Sequence, residues 1–540
     1  MLGEIHLFGA REREGVGWPD KRAGQQRWLS SMVSGLESVS WELESRRITS
    51  TRAGFASAIY GFRVPSVLVG AEAPQAADSW TGQRDALQFG SNCRQIRGGS
   101  EDCLFVNVFT PKLPNEDDNA LLPVLFVIHG GAFIGRSGDL TPGHMMDKGL
   151  VIVSINYRLN VYGFLSLEGT NAPGNAGLKD QTFALKWVQA NIAKFGGDPD
   201  NVTIVGESAG GAAVHYQVLS PLSAGLFHRA ISESGSALNP WAYTPGTQDY
   251  AIRLGNRLRY HTEGNQGLLD FLRNATVEAI DKAVPIILTH PEKVRYLSNP
   301  FVPSLEYPNP DKEPFLPYPP RYMESQGLFN RVPYITGSNS DEGKGFVGSD
   351  ASMEESTYWE TIVNDLERVV PLDLGLTKGS AESVEVANKV KEFYFGDQEL
   401  SYDTKQHWID LQTDLLITLG VQTTVRSHSS YSNSTYNYQF IYNGATHGAE
   451  YSYVFYAGSM EDRSTDAVKM ATLFADMWSD FAKTGDPSLE EETEWLPVSE
   501  SSFPYLQINT TLTPLYNLEN DRMNFWFDIY NNYYNTTSQG

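Results

Sequence analysis

One nine-residue segment, TIVGESAGG at 203–211, constrains the fold of this chain more than any other stretch. A run of apolar and β-branched residues ends in Gly-Glu-Ser-Ala-Gly, and a helical pattern begins directly after it. The motif G-x-S-x-G between a strand and a helix is typical of a turn that projects a nucleophilic serine above the carboxyl edge of a parallel sheet. Ser208 is therefore a candidate nucleophile. A chance match in a glycine-rich chain is the alternative that the motif alone leaves open.

Strand and helix patterns alternate along the chain after about residue 80. Residues 123–130 (PVLFVIHG) and 150–157 (LVIVSINY) are continuous apolar runs, as expected of strands that are buried on both faces. Residues 180–195 have apolar side chains at helical spacing behind an aspartate. Strands that alternate with helices predict an α/β fold, with a large, mostly parallel central sheet flanked by helices. We expect one large domain with helical insertions around 240–330 and 350–430.

The first 75 residues differ from the rest of the chain. They carry many charges and little clear periodicity, so we expect poor order in much of residues 1–75 and place the main domain at 76–537. The first residues, MLGEIHLFGAREREG, have charged side chains where a secretory signal needs an apolar run. No stretch stays apolar for the roughly 18 residues that a membrane helix requires, so we expect no membrane span.

Charge and glycosylation motifs narrow the class of protein. The formal net charge is −24 at pH 7, which disfavours nucleic acid as a partner because its phosphates would be repelled. Five Asn-x-Ser/Thr sequons suggest secretion, although the charged N-terminus does not support it. The sequons begin at Asn201, Asn274, Asn433, Asn509 and Asn535. Cys93 and Cys103 are compatible with one small disulfide loop or with two unrelated thiols.

A nucleophilic serine needs a histidine as base and a carboxylate that orients the base. Among ten histidines, His447 follows the strand-like YQFIYNG and lies in the small-residue loop GATHGAE. Asp341 and Glu342 lie just beyond another strand-like run, VPYITGSNS. The chain order Ser208, Glu342, His447 is that of α/β-hydrolases. His215, on the helix after the serine, is interpreted as a packing residue.

The developing negative charge of an acyl-transfer reaction needs backbone N–H donors from two places. Ala209, directly after the serine, is one candidate donor. The other is the glycine-rich loop 129–133 (HGGAF), which follows the predicted strand VLFVI. An ordinary turn is the alternative for this loop. Its combination with the G-x-S-x-G turn favours the interpretation as an oxyanion hole.

These motifs closely resemble those of the type-B carboxylesterase (cholinesterase-like) family, from about Trp80 to Tyr533. The resemblance is carried by SWTGQRDALQFG, GGSEDCLFVNVFTP, HGGAF, INYRLNVYGFLS, GNAGLKDQTFALKWVQANIAKFGGDPDNVTIVGESAGG, FHRAISESGSALNPWA, SNSDEG, GATHGAE, MWSDFAKTGDP and MNFWFDIY. Many members have a third glycine where this chain has Ala132, and in this position the chain is similar to insect β-type esterases. The resemblance implies the α/β-hydrolase fold and carboxylic-ester hydrolysis.

The resemblance also implies a set of site residues. It assigns the nucleophile to Ser208, the acid to Glu342 and the base to His447. It further implies oxyanion donors at Gly130, Gly131, Ala132 and Ala209, triad support from Ser234 and Glu450, a disulfide between Cys93 and Cys103, and substrate contact by Phe133. No metal or cofactor is expected, and the expected partner is a small-molecule ester.

Two departures from the family pattern qualify these expectations. The segment between the cysteines, RQIRGGSED, lacks the tryptophan that binds choline groups in cholinesterases, so an apolar, non-choline ester is expected. Members of the family usually have a characteristic segment before Trp-Thr-Gly. The corresponding segment of this chain, YGFRVPSVLVGAEAPQAADSW, matches it only weakly. A non-enzymatic adhesion homologue and the product of a faulty gene model are the alternatives. We expect a secreted protein, and the oligomeric state stays open.

Overall fold

A computed structural model gives the structure of the chain over most of its length. It describes residues 50–51, 55–61, 73–75, 88–96, 98–114, 119–261, 264–295, 299–306, 313–460, 465–489 and 494–534. Cys93 and Cys103 are joined by a disulfide, as the family resemblance implied. Within the described residues, no helix combines the length and the apolar character needed to cross a bilayer.

An eleven-stranded sheet forms the centre of the described structure. Its strands are β1 (Ser50–Thr51), β2 (Phe55–Gly61), β3 (Phe105–Thr110), β4 (Leu122–Ile128), β5 (Val151–Ile155), β6 (Gly197–Glu207), β7 (Arg229–Glu233), β8 (Tyr334–Asn339), β9 (Thr435–Phe440), β10 (Pro504–Ile508) and β11 (Leu512–Tyr516). Their spatial order is β1-β2-β3-β5-β4-β6-β7-β8-β9-β10-β11.

The pairing of these strands confirms the predicted α/β class. From β5 through β4 and β6 to β10, every neighbouring pair is parallel. The pairs beyond this block, at both edges, are antiparallel. Because the carboxyl ends of parallel strands meet at one edge of a sheet, side chains that follow β6, β8 and β9 come together there.

Helices flank the sheet and fill both predicted insertions. The α-helices are α1 (Asn160–Phe164), α2 (Ala176–Asn191), α3 (Ala209–Leu219), α4 (Gln248–Arg257), α5 (Asn265–Asn274), α6 (Val277–Ala283), α7 (His290–Val294), α8 (Pro320–Ser325), α9 (Asp350–Met353), α10 (Ser356–Val363), α11 (Ala381–Phe395), α12 (Lys405–Thr413), α13 (Leu419–Ser429), α14 (Tyr451–Val454), α15 (Asp466–Thr484) and α16 (Asn520–Tyr533). Single 3₁₀ turns cover Gly143–Lys148, Ile192–Phe195, Pro221–Ser223, Val284–Ile286, Glu342–Gly345, Leu366–Val369, Leu372–Leu374 and Tyr402–Thr404, and a π-helical turn covers Asp414–Thr418.

Strand β4 shows why its apolar run is continuous. Val124, Phe126 and Ile128 belong to a core on one face of the sheet, whereas Leu125 and Val127 belong to a core on the other. Successive side chains of a strand point to opposite faces, so a strand covered on both sides needs apolar residues at every position. A third core lies in the second insertion and includes residues of α16.

The helix expected at 180–195 begins earlier than its sequence indicated. Helix α2 begins at Ala176, behind Asn175 in the left-handed region at φ 54°. Asp180, the aspartate at the start of the expected helix, is buried within the observed one, where its carboxylate accepts two hydrogen bonds from the Arg158 guanidinium at 2.7 and 2.6 Å. The aspartate therefore forms a buried ion pair instead of capping the helix.

Two strands lie within the N-terminal segment that the sequence analysis set apart. β1 and β2 form the first edge of the sheet, and β2 pairs antiparallel with β3 from Ala56 opposite Thr110 to Gly61 opposite Phe105. Most of residues 1–72 lies outside the described residues. The boundary at residue 75 and the expectation of poor order stay predictions.

Candidate active site

Ser208 lies between β6 and α3 in a backbone conformation that few L-residues adopt. Its φ is 61° and its ψ is −124°, a strain that costs about 1–3 kcal/mol and persists only where the surroundings enforce it. The Ser208 amide donates to the Glu233 carbonyl at 2.8 Å, and its carbonyl accepts from Ala212 at 2.9 Å. A Cβ at Gly210 would lie 2.2 Å from the Ile128 carbonyl oxygen, so only glycine lets the helix approach β4.

The structure brings Ser208, His447 and Glu342 together at the carboxyl edge of the sheet. Nε2 of His447 lies 2.8 Å from Oγ of Ser208, and Nδ1 lies 2.6 Å from Oε2 of Glu342. An ionised carboxylate only accepts hydrogen bonds, so in the neutral imidazole Nδ1 carries the proton and the lone pair of Nε2 faces the serine. This is the geometry in which a histidine can take the serine proton.

The electrostatic surroundings of His447 favour its protonated form. Burial opposes protonation, but the charge of Glu342 and its hydrogen bond, together with the charges of Glu207 and Glu450, outweigh it and raise the pKa of His447 to about 9. The side chain is 15% exposed. An imidazolium formed during reaction is therefore well stabilised.

Asn339, the last residue of β8, connects the acid to its supporting groups. Its backbone N–H donates to Oε1 of Glu342 at 2.7 Å, and its side-chain amide donates to Glu450 and to the Thr446 carbonyl. The Ser234 hydroxyl donates to Oε1 of Glu450 at 2.6 Å. No role was predicted for Asn339 from the sequence, although it lies at a strand end, within SNSDEG and three residues before the acid.

Four buried carboxylates, those of Glu207, Glu233, Glu342 and Glu450, lie around the histidine, each 1% exposed or less. Burial, and then the charges of Glu342 and Glu207, raise the pKa of Glu450 to about 8. Burial and the nearby Glu450 raise the pKa of Glu233 well above its usual range, although Trp478 donates to it at 2.6 Å. Both groups retain protons at higher pH than a free carboxyl, which limits the negative charge at the site.

The glycine-rich loop after β4 turns sharply beside Ser208. Three consecutive residues have positive φ, namely Gly131 at 104°, Ala132 at 53° and Phe133 at 59°. The amide groups of Gly131, Ala132 and Ala209 have no hydrogen-bond acceptor in the part of the chain that the structure describes. Such amides are available to an oxyanion.

Gly130 forms the closest approach of this loop to the serine. A Cβ there would lie 2.5 Å from the Glu207 carbonyl oxygen and 3.2 Å from Cβ of Ser208. Any larger residue would push the loop away from the elbow. The spacing between the predicted nucleophile and its predicted oxyanion donors thus depends on this glycine.

Two phenylalanine side chains near the site differ in their exposure. The Phe133 side chain, predicted to contact substrate, is fully buried in the core against the rings of Phe164 and Trp241. Phe346, which the sequence analysis did not single out, is 38% exposed, and its ring centre lies 4.9 Å from that of His447. Substrate contact by Phe133 stays a prediction, and the structure places the Phe346 ring beside His447.

Glu207 contacts two charged side chains that the sequence analysis did not connect with it. Its Oε1 lies 3.5 Å from Nε2 of His447, and its Oε2 accepts from Nη1 of Arg136 at 2.9 Å. The only sequence signal for Glu207 is its place next to the serine, and nothing in the local pattern around Arg136 indicates a contact with residue 207.

A second serine–histidine–glutamate group lies in the interior. His215 is fully buried, with Nδ1 3.1 Å from the Ser236 hydroxyl and Nε2 2.7 Å from Oε1 of Glu324. The expectation that His215 is a packing residue is confirmed. None of the three side chains is open to solvent.

A mostly parallel sheet with a serine at its strand–helix elbow, and with an acid and a histidine after two later strands, defines an α/β-hydrolase. Residues 72–526 match the carboxylesterase family, and the chain belongs to that family. It is a carboxylic-ester hydrolase.

Similar proteins agree with this assignment. The chain is 34% identical over 464 residues to Esterase FE4 of Myzus persicae, covering 79% of this chain and 80% of the esterase. It is 32% identical over 511 residues to the bile salt-activated lipase of Bos taurus, covering 87% of this chain and 83% of the lipase. The solved structure of juvenile hormone esterase from Manduca sexta, with OTFP covalently attached, superposes with a TM-score of 0.77 at 26% identity, covering 88% of this chain and 95% of that one.

Proposed function

We propose that the chain hydrolyses apolar, non-choline carboxylic esters through a Ser208–His447–Glu342 triad and an acyl-enzyme. The observation that carries this proposal is the unbroken hydrogen-bond path from Ser208 Oγ through both nitrogens of His447 to the buried Glu342. Three side chains that are far apart in sequence and hydrogen-bonded in this order can act as nucleophile, general base and orienting acid.

In the first half of the reaction, Oγ of Ser208 attacks the ester carbonyl carbon while its proton passes to Nε2 of His447. The carbonyl π electrons move onto the oxygen, and Glu342 holds the imidazolium through Nδ1. When the tetrahedral intermediate collapses, the bond to the alcohol oxygen breaks and Nε2 returns the proton to the leaving alkoxide. Water then repeats these steps on the acyl-enzyme and releases the acid.

The oxyanion is proposed to bind amides of the loop after β4 and of α3. Gly130, Gly131 and Ala132 supply one side, and Ala209 supplies the other. The free amides of Gly131, Ala132 and Ala209 and the close approach at Gly130 support this assignment. Fixed donors aimed at developing charge contribute on the order of 3 kcal/mol each to transition-state stabilisation.

Apolar groups are the substrate feature that the site favours. Phe346 presents an exposed ring beside His447. Within residues 94–102 between the cysteines, no aromatic side chain is available for a quaternary ammonium. We therefore expect a neutral short-chain thioester to be hydrolysed much faster than the corresponding thiocholine ester.

We further propose that the protein is a secreted glycoprotein. The disulfide supports an oxidising compartment. Asn274 and Asn433 are exposed, whereas the partly buried Asn201 accepts a hydrogen bond from Arg229 and is a poorer acceptor for a glycan. Asn535 lies outside the described residues. Intact-mass measurement of the protein from a secreting host, before and after glycosidase treatment, tests this proposal, which an unchanged mass would contradict.

The test of the proposed function is hydrolysis of p-nitrophenyl butyrate by the wild type and by Ser208→Ala. We expect the variant to lose turnover by a factor on the order of 10⁴ to 10⁶. Ser236→Ala is the matched control, because it removes a hydroxyl from the buried group. Equal turnover by the wild type and Ser208→Ala would refute the mechanism. A folded wild type without turnover would favour a binding homologue.

A further inference from the structure

The Glu207 carboxylate beside His447 also pairs with a side chain outside the triad. We propose that Arg136 is a positioning residue: its guanidinium holds the Glu207 carboxylate at a fixed distance from His447 and offsets its charge. Gln95, in the disulfide loop, holds Arg136 in place. This inference rests on the proposed function, because it assigns Arg136 a part in the same reaction.

Glu207 lies where its carboxylate can accept a hydrogen bond from Nε2–H of the protonated His447. Its Oε1 lies 3.5 Å from Nε2, which is longer than a hydrogen bond, whereas Oγ of Ser208 lies at 2.8 Å. The same Oε1 is buried and has no hydrogen-bond partner among the described residues. A small rotation of the carboxylate would bring this acceptor within hydrogen-bond distance of the protonated Nε2 and would stabilise the imidazolium over the neutral imidazole that accepts from Ser208.

Arg136 opposes that rotation. Its Nη1 donates to the other carboxylate oxygen of Glu207 at 2.9 Å, on the side away from the histidine. The Arg136 side chain is 58% exposed, whereas that of Glu207 is 1% exposed. An exposed guanidinium therefore pairs with a buried carboxylate. Solvent screens their Coulomb attraction on the arginine side only.

The disulfide loop fixes the backbone of Arg136, which has the unfavourable φ of 72°. The side chain of Gln95 forms two hydrogen bonds with this backbone: its amide donates to the Arg136 carbonyl at 3.1 Å, and its oxygen accepts from the Arg136 N–H at 3.2 Å. The neighbouring Arg94 is in turn held by two hydrogen bonds to Asp281 of α6, at 2.8 and 2.6 Å. The disulfide loop thus links α6, a helix of the first insertion, to the backbone of Arg136.

The net charge around His447 decides how far the imidazole is protonated. The titratable and charged groups that face it or its carboxylates are Glu207 of β6, Glu233 of β7, Glu342 after β8, Glu450 and Tyr451 at α14, and Arg136 of the loop after β4. Arg136 is the cation of this set. Loss of its charge would leave the carboxylate of Glu207 uncompensated, and the imidazole would hold its proton to higher pH.

The experiment is the pH dependence of kcat/KM on p-nitrophenyl butyrate, whose acid limb reports the free-enzyme pKa of the base. We expect Arg136→Gln to move this limb up by about half a pKa unit to one unit, which corresponds to a three- to tenfold loss below the limb. Arg136→Lys restores a cation and should return the limb most of the way. Glu207→Gln should move the limb down.

A double variant separates this role from a structural one. In the Glu207→Gln background, Arg136→Gln should cause no further upward shift, because the charge that it offsets is absent. Arg257→Gln, at the exposed end of α4, removes the same charge from the surface elsewhere and should leave the limb unchanged. Gln95→Ala should shift the limb upward by less than Arg136→Gln.

Two outcomes would overturn the proposal: an acid limb that Arg136→Gln does not move, or an equal shift in the presence and absence of the Glu207 charge. Failure of the proposed function is distinguishable from both. In that case the wild type and Ser208→Ala would show the same turnover, and no limb assignable to His447 would be measured.

Discussion

Two serine–histidine–glutamate groups within the described residues differ in their surroundings, and the one proposed as catalytic lies beside free backbone amides. Ser208, His447 and Glu342 lie at the carboxyl edge of the sheet, and His447 is 15% exposed. The second group, Ser236, His215 and Glu324, lies in the interior with no exposed side chain. The distances within the two groups are similar, so distances alone do not identify an active site.

The orientation of the two imidazoles differs. His447 uses Nδ1 for its glutamate and leaves Nε2 for the serine. His215 is reversed: Nε2 faces Glu324, and Nδ1 accepts the backbone N–H of Ala237 at 3.1 Å. The lone pair that would take a serine proton is therefore already occupied in the buried group.

The two serines differ as well. Ser208 has the strained backbone of an elbow and free amides beside it. The Ser236 hydroxyl lies 2.7 Å from that of Thr424 and accepts from the Leu238 N–H. A catalytic hydroxyl needs an open acceptor and space for a carbonyl, whereas a structural hydroxyl is fully bonded. Each of the following predictions contrasts the two groups by a matched substitution.

The two histidines should give the largest contrast. We expect His447→Ala to reduce kcat on p-nitrophenyl butyrate by a factor on the order of 10⁵, because the serine loses its base. His215→Ala should keep kcat within a few-fold and lower the free energy of unfolding by about 3–5 kcal/mol, because Glu324 would remain buried without its partner.

Steady-state kinetics and denaturant unfolding on both variants check this pair of expectations. Activity should be assayed under conditions well below the unfolding midpoint of His215→Ala, so that unfolded protein does not lower the measured kcat. A loss of kcat in His215→Ala as large as that in His447→Ala would mean that the buried group takes part in catalysis.

Substitution of the two glutamates should give a smaller difference in kcat than substitution of the two histidines. In Glu342→Gln the amide no longer fixes the tautomer that presents Nε2 to the serine, and kcat should fall by about 10³ to 10⁴. In Glu324→Gln the amide oxygen can still accept from His215, so we expect kcat to stay unchanged and stability to change by less than about 2 kcal/mol. A Glu342→Gln variant with wild-type kcat would exclude this carboxylate from the relay.

The sequence was sufficient to predict the sheet class and that Ser208, Glu342 and His447 follow strand ends, and the structure brings these three side chains together. Apolar runs indicated β4 and β5, and the motifs at 206–210 and 446–450 lie at strand ends. The sequence did not indicate the Arg136–Glu207 contact, which joins residues 71 positions apart through side chains. Nor did it distinguish Phe133 from Phe346, since burial of an aromatic ring depends on what packs over it.

The pH dependence of activity should come from the Ser208–His447–Glu342 group alone. Because only neutral imidazole accepts the serine proton, and the pKa of His447 is raised to about 9, kcat/KM should rise about fiftyfold between pH 7 and pH 9. The His215→Ala variant should show the same profile. A limb near the ordinary histidine value of about 6.5 would contradict the electrostatic description of His447.

Removal of the buried hydroxyl should have the smallest effect. In Ser236→Ala, Thr424 keeps its own bond to the Gly420 carbonyl at 2.9 Å, and His215 keeps the Ala237 N–H, so neither group is left without a partner. We expect a loss of about 1 kcal/mol in the free energy of unfolding and no change in kcat. Denaturant unfolding together with p-nitrophenyl butyrate turnover measures both quantities. A stability loss above about 3 kcal/mol would show that the hydroxyl organises the buried group. A loss of kcat would show that the hydrogen-bond network of Ser236 is coupled to the proposed triad.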